Sequence, residues 1–380
     1  MNDFQMKNTK PIKQFTRQAL FLWSFLIIAS QVSSQDPNRI GFGGIGTVGD
    51  HYTARDAILS SPARIAAGAN VYGQFVYSVS RFPFLFTEGE QNQTYSIHTG
   101  YGWESGHAIG VSTTNFSQDI LSSEGLNLNI RQYGIGYRYK TKNALSYGLA
   151  LTFRNELRPN LRFPDQIVDG VIVPSSLSGD YIVKGLTVNL GVHKSWITRQ
   201  TASGYNQFEL GGSLTNIGGR QNGRVRDSLV FGARYPGSQL SLGLSAKRHI
   251  TLSDERTFLE IIFGYQITKN LTPSYDPGEN PATTILGTIF DSFAENKFGG
   301  GFDEMRNAFG IQARVNIQDF RLGLSSGLAL YEIEQFRFGI ELAHKNFAFK
   351  GAFSDTRAFI TGEKIRIPYL ALDWHIPIKQ

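Results

Sequence analysis

The chain has 380 residues, 13% aromatic and 18% charged, with 41 glycines, no cysteine and a mean hydropathy of −0.20. Aromatic richness with few charges excludes intrinsic disorder, and zero cysteine excludes a disulfide scaffold, a thiolate metal site, a thiol nucleophile and a lipoprotein anchor. The net charge of +6 falls to +3 once Lys7, Lys10, Lys13, Arg17 and Asp3 are set aside, so the basic balance gives no reason to expect nucleic acid.

Those four cations precede an apolar run from Ala19 to Ala29 and a small-residue site at Val32-Ser33-Ser34. This order is that of a secretory signal peptide over residues 1–34, and the apolar run is too short to span a bilayer as a helix. Residues 35–70 are Gly-rich and are expected to form a periplasmic or plug segment, with a short helix over Tyr52–Leu59 ending at Ser60-Ser61-Pro62. Gly41–Gly46 matches G-x-G-x-x-G, but no strand–helix unit surrounds it, so it is read as a loop and not as a dinucleotide site.

From residue 71 to 380 the pattern is strict alternation in runs of about ten residues. Leu259, Ile261, Phe263, Tyr265 and Ile267 share one face against Glu260, Gly264 and Gln266, and Tyr147–Phe153 and Phe336–Leu342 repeat the arrangement. A β-sandwich would turn the apolar faces inward and a membrane barrel would turn them out to lipid. Three features favour the barrel. Aromatics stand at the ends of runs (Tyr101, Trp103, Tyr137, Tyr139, Tyr235, Trp374), the opposite face is rich in Gly and Ser, and the run length suits a tilted crossing. The expected fold is therefore all-β: a transmembrane, antiparallel, up-and-down β-barrel of about 14 strands in the outer membrane, with a short N-terminal plug-like segment.

Fifteen runs qualify, including ones near Val71, Leu229 and Leu240, while a barrel with both termini periplasmic needs an even number. The run Val71–Val79 is the weakest. Tight turns are expected at Pro236-Gly237, Gln318-Asp319 and Lys345-Asn346. Two long loops remain, 155–182 and 269–306, which strand parity puts on opposite membrane faces. The first holds Phe163-Pro164-Asp165-Gln166, and the second carries an apolar stripe of Ile285, Ile289, Phe290 and Phe293. Loops of this length are usually functional or disordered.

Charged residues on the Gly/Ser side belong in the lumen or at its rims, because lipid exposure near the midplane costs about 2–4 kcal/mol each. Arg138, Arg154, Arg234, Lys247, Arg314, Arg321, Arg337, Lys350 and Arg366 fall there, with Glu209, Glu260 and Glu341 as partners. Such a set either fills the lumen with ion pairs or lines an anion-selective channel, and a charged wall offers little to an apolar solute. Gly323–Gly327 matches G-x-S-x-G but sits inside a strand and not at a strand-to-helix turn, and the seven histidines show no metal-binding spacing. No cofactor, metal or catalytic residue is expected. A lipid hydrolase would have only the presence of Ser and His in its favour.

Several segments carry family resemblances. The mature start Gln35-Asp36-Pro37, the element Ser61-Pro-Ala-Arg-Ile-Ala-Ala-Gly68 (close to N-P-A-x-x-x-G, with Ser in place of Asn) and Leu161-Arg-Phe-Pro-Asp-Gln-Ile167 together resemble the PorP/SprF barrels of Bacteroidota, associated with type IX secretion and gliding motility. Leu210-Gly-Gly-Ser-Leu-Thr-Asn-Ile-Gly218, with the pre-barrel helix, also resembles the PorV/PorQ and fatty-acid-transporter-like barrels. The first resemblance implies a non-enzymatic scaffold of an envelope machine, set in outer-membrane lipid and docking a periplasmic peptidoglycan-linked protein, a lipoprotein or exported cargo. Phe163, Pro164, Asp165, Gln166, Ile285, Ile289, Phe290 and Phe293 would then be the docking residues. The second implies a transporter or channel for small or hydrophobic solutes.

Overall fold

A computed structural model describes residues 46–48, 54–65, 70–80, 92–120, 126–162, 166–168, 171–173, 178–218, 221–225, 228–234, 237–254, 256–271, 305–330, 334–357 and 364–377. Before the barrel come a short helix, α1 (Ala54–Ser60), and one 3-10 turn, Pro62–Arg64. The strands follow in chain order: β1 Asn70–Ser80, β2 Asn92–Gly102, β3 His107–Ile120, β4 Leu126–Lys140 and β5 Leu145–Arg162. A small hairpin, β6 Gln166–Val168 and β7 Val171–Val173, precedes β8 Ser178–Thr201 and β9 Gly204–Gly218. Next are β10 Gln221–Val225, β11 Ser228–Arg234, β12 Gln239–Asp254 and β13 Thr257–Asn270. The last five are β14 Met305–Ile317, β15 Phe320–Leu330, β16 Glu334–His344, β17 Phe347–Arg357 and β18 Lys364–Pro377.

Fourteen of these strands form a closed antiparallel ring: β1–β5, β8, β9 and β12–β18, sealed by the β1–β18 ladder from Asn70↔Pro377 to Ser78↔Tyr369. The weakest run of the sequence, Val71–Val79, is thus the strand that closes the barrel. Its lumen face carries Tyr72 and Val76 beside Gln74 and Ser78, all buried, so the contrast between its two faces is low. The surplus run is the one at Leu229. It forms β11, which pairs with β10, and β10 continues the β9 arm along β8: Thr187↔Gly218 is followed by Val183↔Gly223, four steps on β8 against five on the other arm. Gly237 accordingly lies within a broken arm, just before β12, and not in a turn between neighbours.

With that run absorbed, parity changes. The tight turns at 103–106, 141–144, 202–203, 318–319 and 345–346 lie at the end that holds Asn70 and Pro377, and Gln318 and Lys345 take left-handed conformations there, with φ of 55° and 53°. Both long connections lie at the opposite end, correcting the expectation that they face different compartments. Short turns mark the periplasmic side and long connections the extracellular one. Much of the first long loop is in fact strand, since β5 runs to Arg162 and β8 starts at Ser178.

Side-chain alternation assigns the faces. On β5, Tyr147, Leu149, Leu151 and Phe153 are exposed on the outside, while Ala150 and Thr152 are buried. The same holds for Leu322 and Leu324 against Ser325, and for Leu370 and Leu372 against Ala371. A closed ring with an apolar exterior satisfies every ladder group internally, which is what a bilayer demands. The protein is an integral outer-membrane barrel. At the periplasmic rim Tyr101 meets Trp103 edge-on (4.6 Å between centroids), His107 Nδ1 lies 2.5 Å from Tyr137 Oη, and Trp374 covers Gly73.

The outward face yields a direct test. Leu324→Arg, near the middle of β15, lowers folding stability by about 2–4 kcal/mol, while Ile376→Arg at the periplasmic end of β18 costs about 0–1 kcal/mol. Urea titration of protein folded into lipid vesicles measures both.

Candidate functional site

The lumen is the one concave surface such a barrel owns, and in this chain part of its own N-terminal segment sits there. Val48, Ile58, Ala63 and Ile65 have no exposure at all, and each touches inward-facing residues of the wall. The wall accommodates them by omitting side chains. A Cβ on Gly148 would lie 2.1 Å from the Pro62 carbonyl carbon and the Ala63 nitrogen, and one on Gly211 would lie 2.0 Å from Thr47 O. Contacts with backbone cannot be relieved by rotating a side chain, so glycine is required where the plug backbone touches the wall.

Apolar packing and a few polar ties complete the seat. Ala57, Ile58 and Ile65 pack against Tyr72, Ala108 and Ala150, while Val48 packs against Ile262 and Ala308. Gln266, Arg138 and Asn189 of the wall bind plug groups. Gln266 Oε1 accepts from Gly46 N (2.9 Å), Thr47 N (3.1 Å) and Thr47 Oγ1 (2.9 Å). Arg138 Nη1 donates to Ile65 O at 2.6 Å and Nη2 to Ser146 Oγ at 3.2 Å. Asn189 Nδ2 donates to Ile58 O at 2.8 Å, satisfying a carbonyl that helix α1 leaves open at its C-terminal end. Its Oδ1 accepts from Asn216 N at 2.7 Å, where β9 bulges and Asn216 has φ of 58°. Within the plug, Arg64 Nη1 reaches Gly46 O at 3.3 Å.

From β12 round to β18 the wall carries a belt of paired charges of both signs. Lys247 Nζ lies 3.5 Å and His249 Nδ1 3.4 Å from Glu260 Oε1. Glu260 is in register with Arg314, whose Nη2 is 3.7 Å from Glu341 Oε2. Arg321 Nη2 meets Glu341 Oε1 at 2.6 Å, Lys350 pairs with Asp373, and Gln74 Nε2 donates to Asp373 Oδ1 at 2.7 Å. Gly323, the first glycine of the G-x-S-x-G match, lies beneath this crossing, where a Cβ would meet Glu341 Cβ at 3.2 Å. Ser325 of that match is buried within plain strand.

The other charges singled out from sequence fall as follows. Arg154 pairs with Glu156 at 3.1 Å, and Arg158 joins the same carboxylate at 2.9 Å. Glu209 is met by His193 (3.6 Å), Gln207 (3.0 Å) and Ser245 (3.2 Å). Arg337 is buried and donates to Gln335 Oε1 at 2.6 Å. Arg234 is in β11, and its side chain is outside the described residues, as are Phe163, Pro164, Asp165, Ile285, Ile289, Phe290 and Phe293. Gln166 opens β6. Arg366, expected in the lumen or at its rims, is near the extracellular end of β18; the inward residues there are Ile367, Tyr369 and Ala371, so Arg366 points outward, where it bonds Asp355 at 2.7 and 3.0 Å. Gln266, Asn189, Glu156 and Asp373 were not singled out from sequence. The signal for the plug seat was inward small residues recurring on adjacent strands, as in the pairs Gly136↔Ala150 and Gly148↔Gly191.

No family model and no curated protein matches the chain. Among solved structures it is similar to the CymD monoaromatic hydrocarbon channel (10% identity, 90% of this chain and 97% of that one, TM-score 0.49). It is also similar to the Ralstonia pickettii toluene transporter TbuX (11%, 92% and 99%, TM-score 0.46) and to a Pseudomonas aeruginosa FadL homologue (10%, 92% and 99%, TM-score 0.42). Similarity at this level assigns neither a family nor an activity to the chain.

Two substitutions separate the halves of the lumen. Gly148→Val unseats the plug and leaves the ladder intact, so amide exchange in residues 54–65 accelerates about tenfold or more while β14–β18 keep their protection. Glu341→Gln removes the buried carboxylate that Arg314 and Arg321 share and costs about 3–5 kcal/mol, read as a lower urea midpoint at constant m-value.

Proposed function

We propose that the protein is an outer-membrane transporter for small solutes, a non-catalytic conduit that its own N-terminal segment gates. The observation that carries this reading is the plug seat. A barrel of this kind closes through its ladders and needs no polypeptide inside, yet here the wall is cut away with glycines to admit one. The plug is held by a few hydrogen bonds, each contributing on the order of 1 kcal/mol net. Such ties are individually breakable, and water in the lumen replaces them when they open. The wall ladders beside them are far more numerous, so the plug can shift while the barrel stays folded.

The accessory role in a secretion machine has no corresponding observation, since the segments expected to dock partners lie almost wholly outside the described residues. Paired charges of both signs favour small polar or zwitterionic solutes over hydrocarbons, and a solute panel should hold both classes.

The chain has no cysteine, which allows a clean tether. A Cβ on Gly243 would lie 2.1 Å from Thr47 Oγ1 with no plug backbone in the way, so Thr47→Cys with Gly243→Cys brings two sulfurs within bonding reach. In proteoliposomes loaded with sugars, amino acids or monoaromatic compounds, the oxidised variant is expected to lose most of the flux of the wild type, on the order of tenfold, and to regain it on reduction. Equal flux in both redox states, or no flux of any solute through the wild type, overturns the proposal.

A further inference from the structure

The outward face of the barrel carries an unmatched pair of cations at one height. On β5 the outward run from Leu145 to Phe153 is apolar and ends at Asn155. At about 3.4 Å per residue and a tilt near 40°, that run rises roughly 21 Å, close to the ~25 Å height of a barrel's apolar band. Asn155 therefore stands at the extracellular edge of the band. Its ladder partners are Arg131 on β4 and Lys184 on β8, and all three side chains point to the exterior, because the inward residues of these strands are Ile130, Glu156 and Val183. Beneath them, toward the bilayer, the next outward row is Tyr133, Phe153 and Leu186, each exposed to lipid.

Both cations are exposed, and neither makes a hydrogen bond or ion pair among the described residues. The contrast with Arg366 is informative. That outward guanidinium, at the extracellular end of β18, is neutralised by Asp355 and lies 4.6 Å over the Phe353 ring. The wall supplies a counter-charge there and, among the described residues, supplies none to Arg131 or Lys184. With one strand between them, the two are separated by two ladder spacings, about 10 Å. A cation at the edge of the acyl layer is retained cheaply only if the headgroup region offers an anion.

We propose that Arg131 and Lys184 bind the phosphate groups of an anionic glycolipid in the outer leaflet, with its acyl chains lying over Tyr133, Phe153 and Leu186. A guanidinium and an ammonium this far apart suit a headgroup bearing two phosphates, since each can make charge-assisted hydrogen bonds to one. The inference does not depend on whether the lumen conducts.

The test uses the full-length protein in mild detergent, titrated with lipid A and with enzymatically dephosphorylated lipid A. Wild type is expected to bind lipid A roughly thirtyfold more tightly than the dephosphorylated form, taking each cation near the surface as about one kcal/mol. The variant Arg131→Gln with Lys184→Gln loses that preference, and Arg366→Gln keeps it. Equal binding of the two lipids by the wild type overturns the proposal with no variant needed, as does a correctly folded double variant that still prefers lipid A.

Discussion

A hydrocarbon bilayer offers a backbone no hydrogen-bonding partner, and the rest of this molecule follows from that constraint. Each strand must find a neighbour on both sides within the chain. The ladder between β1 and β18, nine residue pairs long and joining the first strand to the last, is what makes this possible. It brings both ends of the barrel to one face, which forces an even strand count. It also turns the sheet into a container, whose two surfaces meet different solvents and so answer to different rules.

Outside, the rule is apolar contact, and single residues satisfy it. Inside, the problem is filling. The lumen divides the task between two chemistries. On β4, β5, β8, β9 and β12 the wall gives up side chains, and the plug takes the space. On β12–β18 and β1 the wall keeps long side chains and cancels their charges in sequence: Lys247, Glu260, Arg314, Glu341, Lys350, Asp373. Alternating signs give each buried charge an opposite neighbour, and Glu341, itself buried, serves Arg314 and Arg321 together. Removing one member therefore disturbs more than one pair.

The exterior was legible in the sequence because period-two alternation is a property of neighbouring residues. Phe263 and Leu149 announce their face without knowledge of anything distant. The reading failed where the two faces resemble each other or where chain path matters. Tyr72 lines the lumen face of β1 because Ala57, Ile58 and Ile65 of the plug pack there, Val76 is buried on the same face, and this made the closing strand look weakest. Ser228–Arg234 has the alternation of a crossing, but whether it crosses or prolongs an arm depends on its pairing with β10, and that single error reversed the sidedness of a long loop. The plug ties were invisible for a related reason. Gln266 meets Thr47 across 219 residues, and Asn189 meets Ile58 across 131, so no local pattern encodes either bond. What the sequence did carry was the negative image of the plug, the glycines at inward positions, which looks like mere crowding until the occupant is known.

The plug and the wall differ most in what replaces their hydrogen bonds when they break. A ladder bond opened at the lipid face leaves two polar groups in hydrocarbon, each costing several kcal/mol. A plug bond opened in the lumen leaves Gln266, Arg138 and Asn189 on the inner face of the wall, away from hydrocarbon, and Asn189 keeps its contacts with Thr152 Oγ1 and Asn216 N. The same kind of bond is thus close to permanent in one surface of the sheet and exchangeable in the other. A moving part placed in this barrel has only one side on which it can be released, and the glycine seat lies on that side.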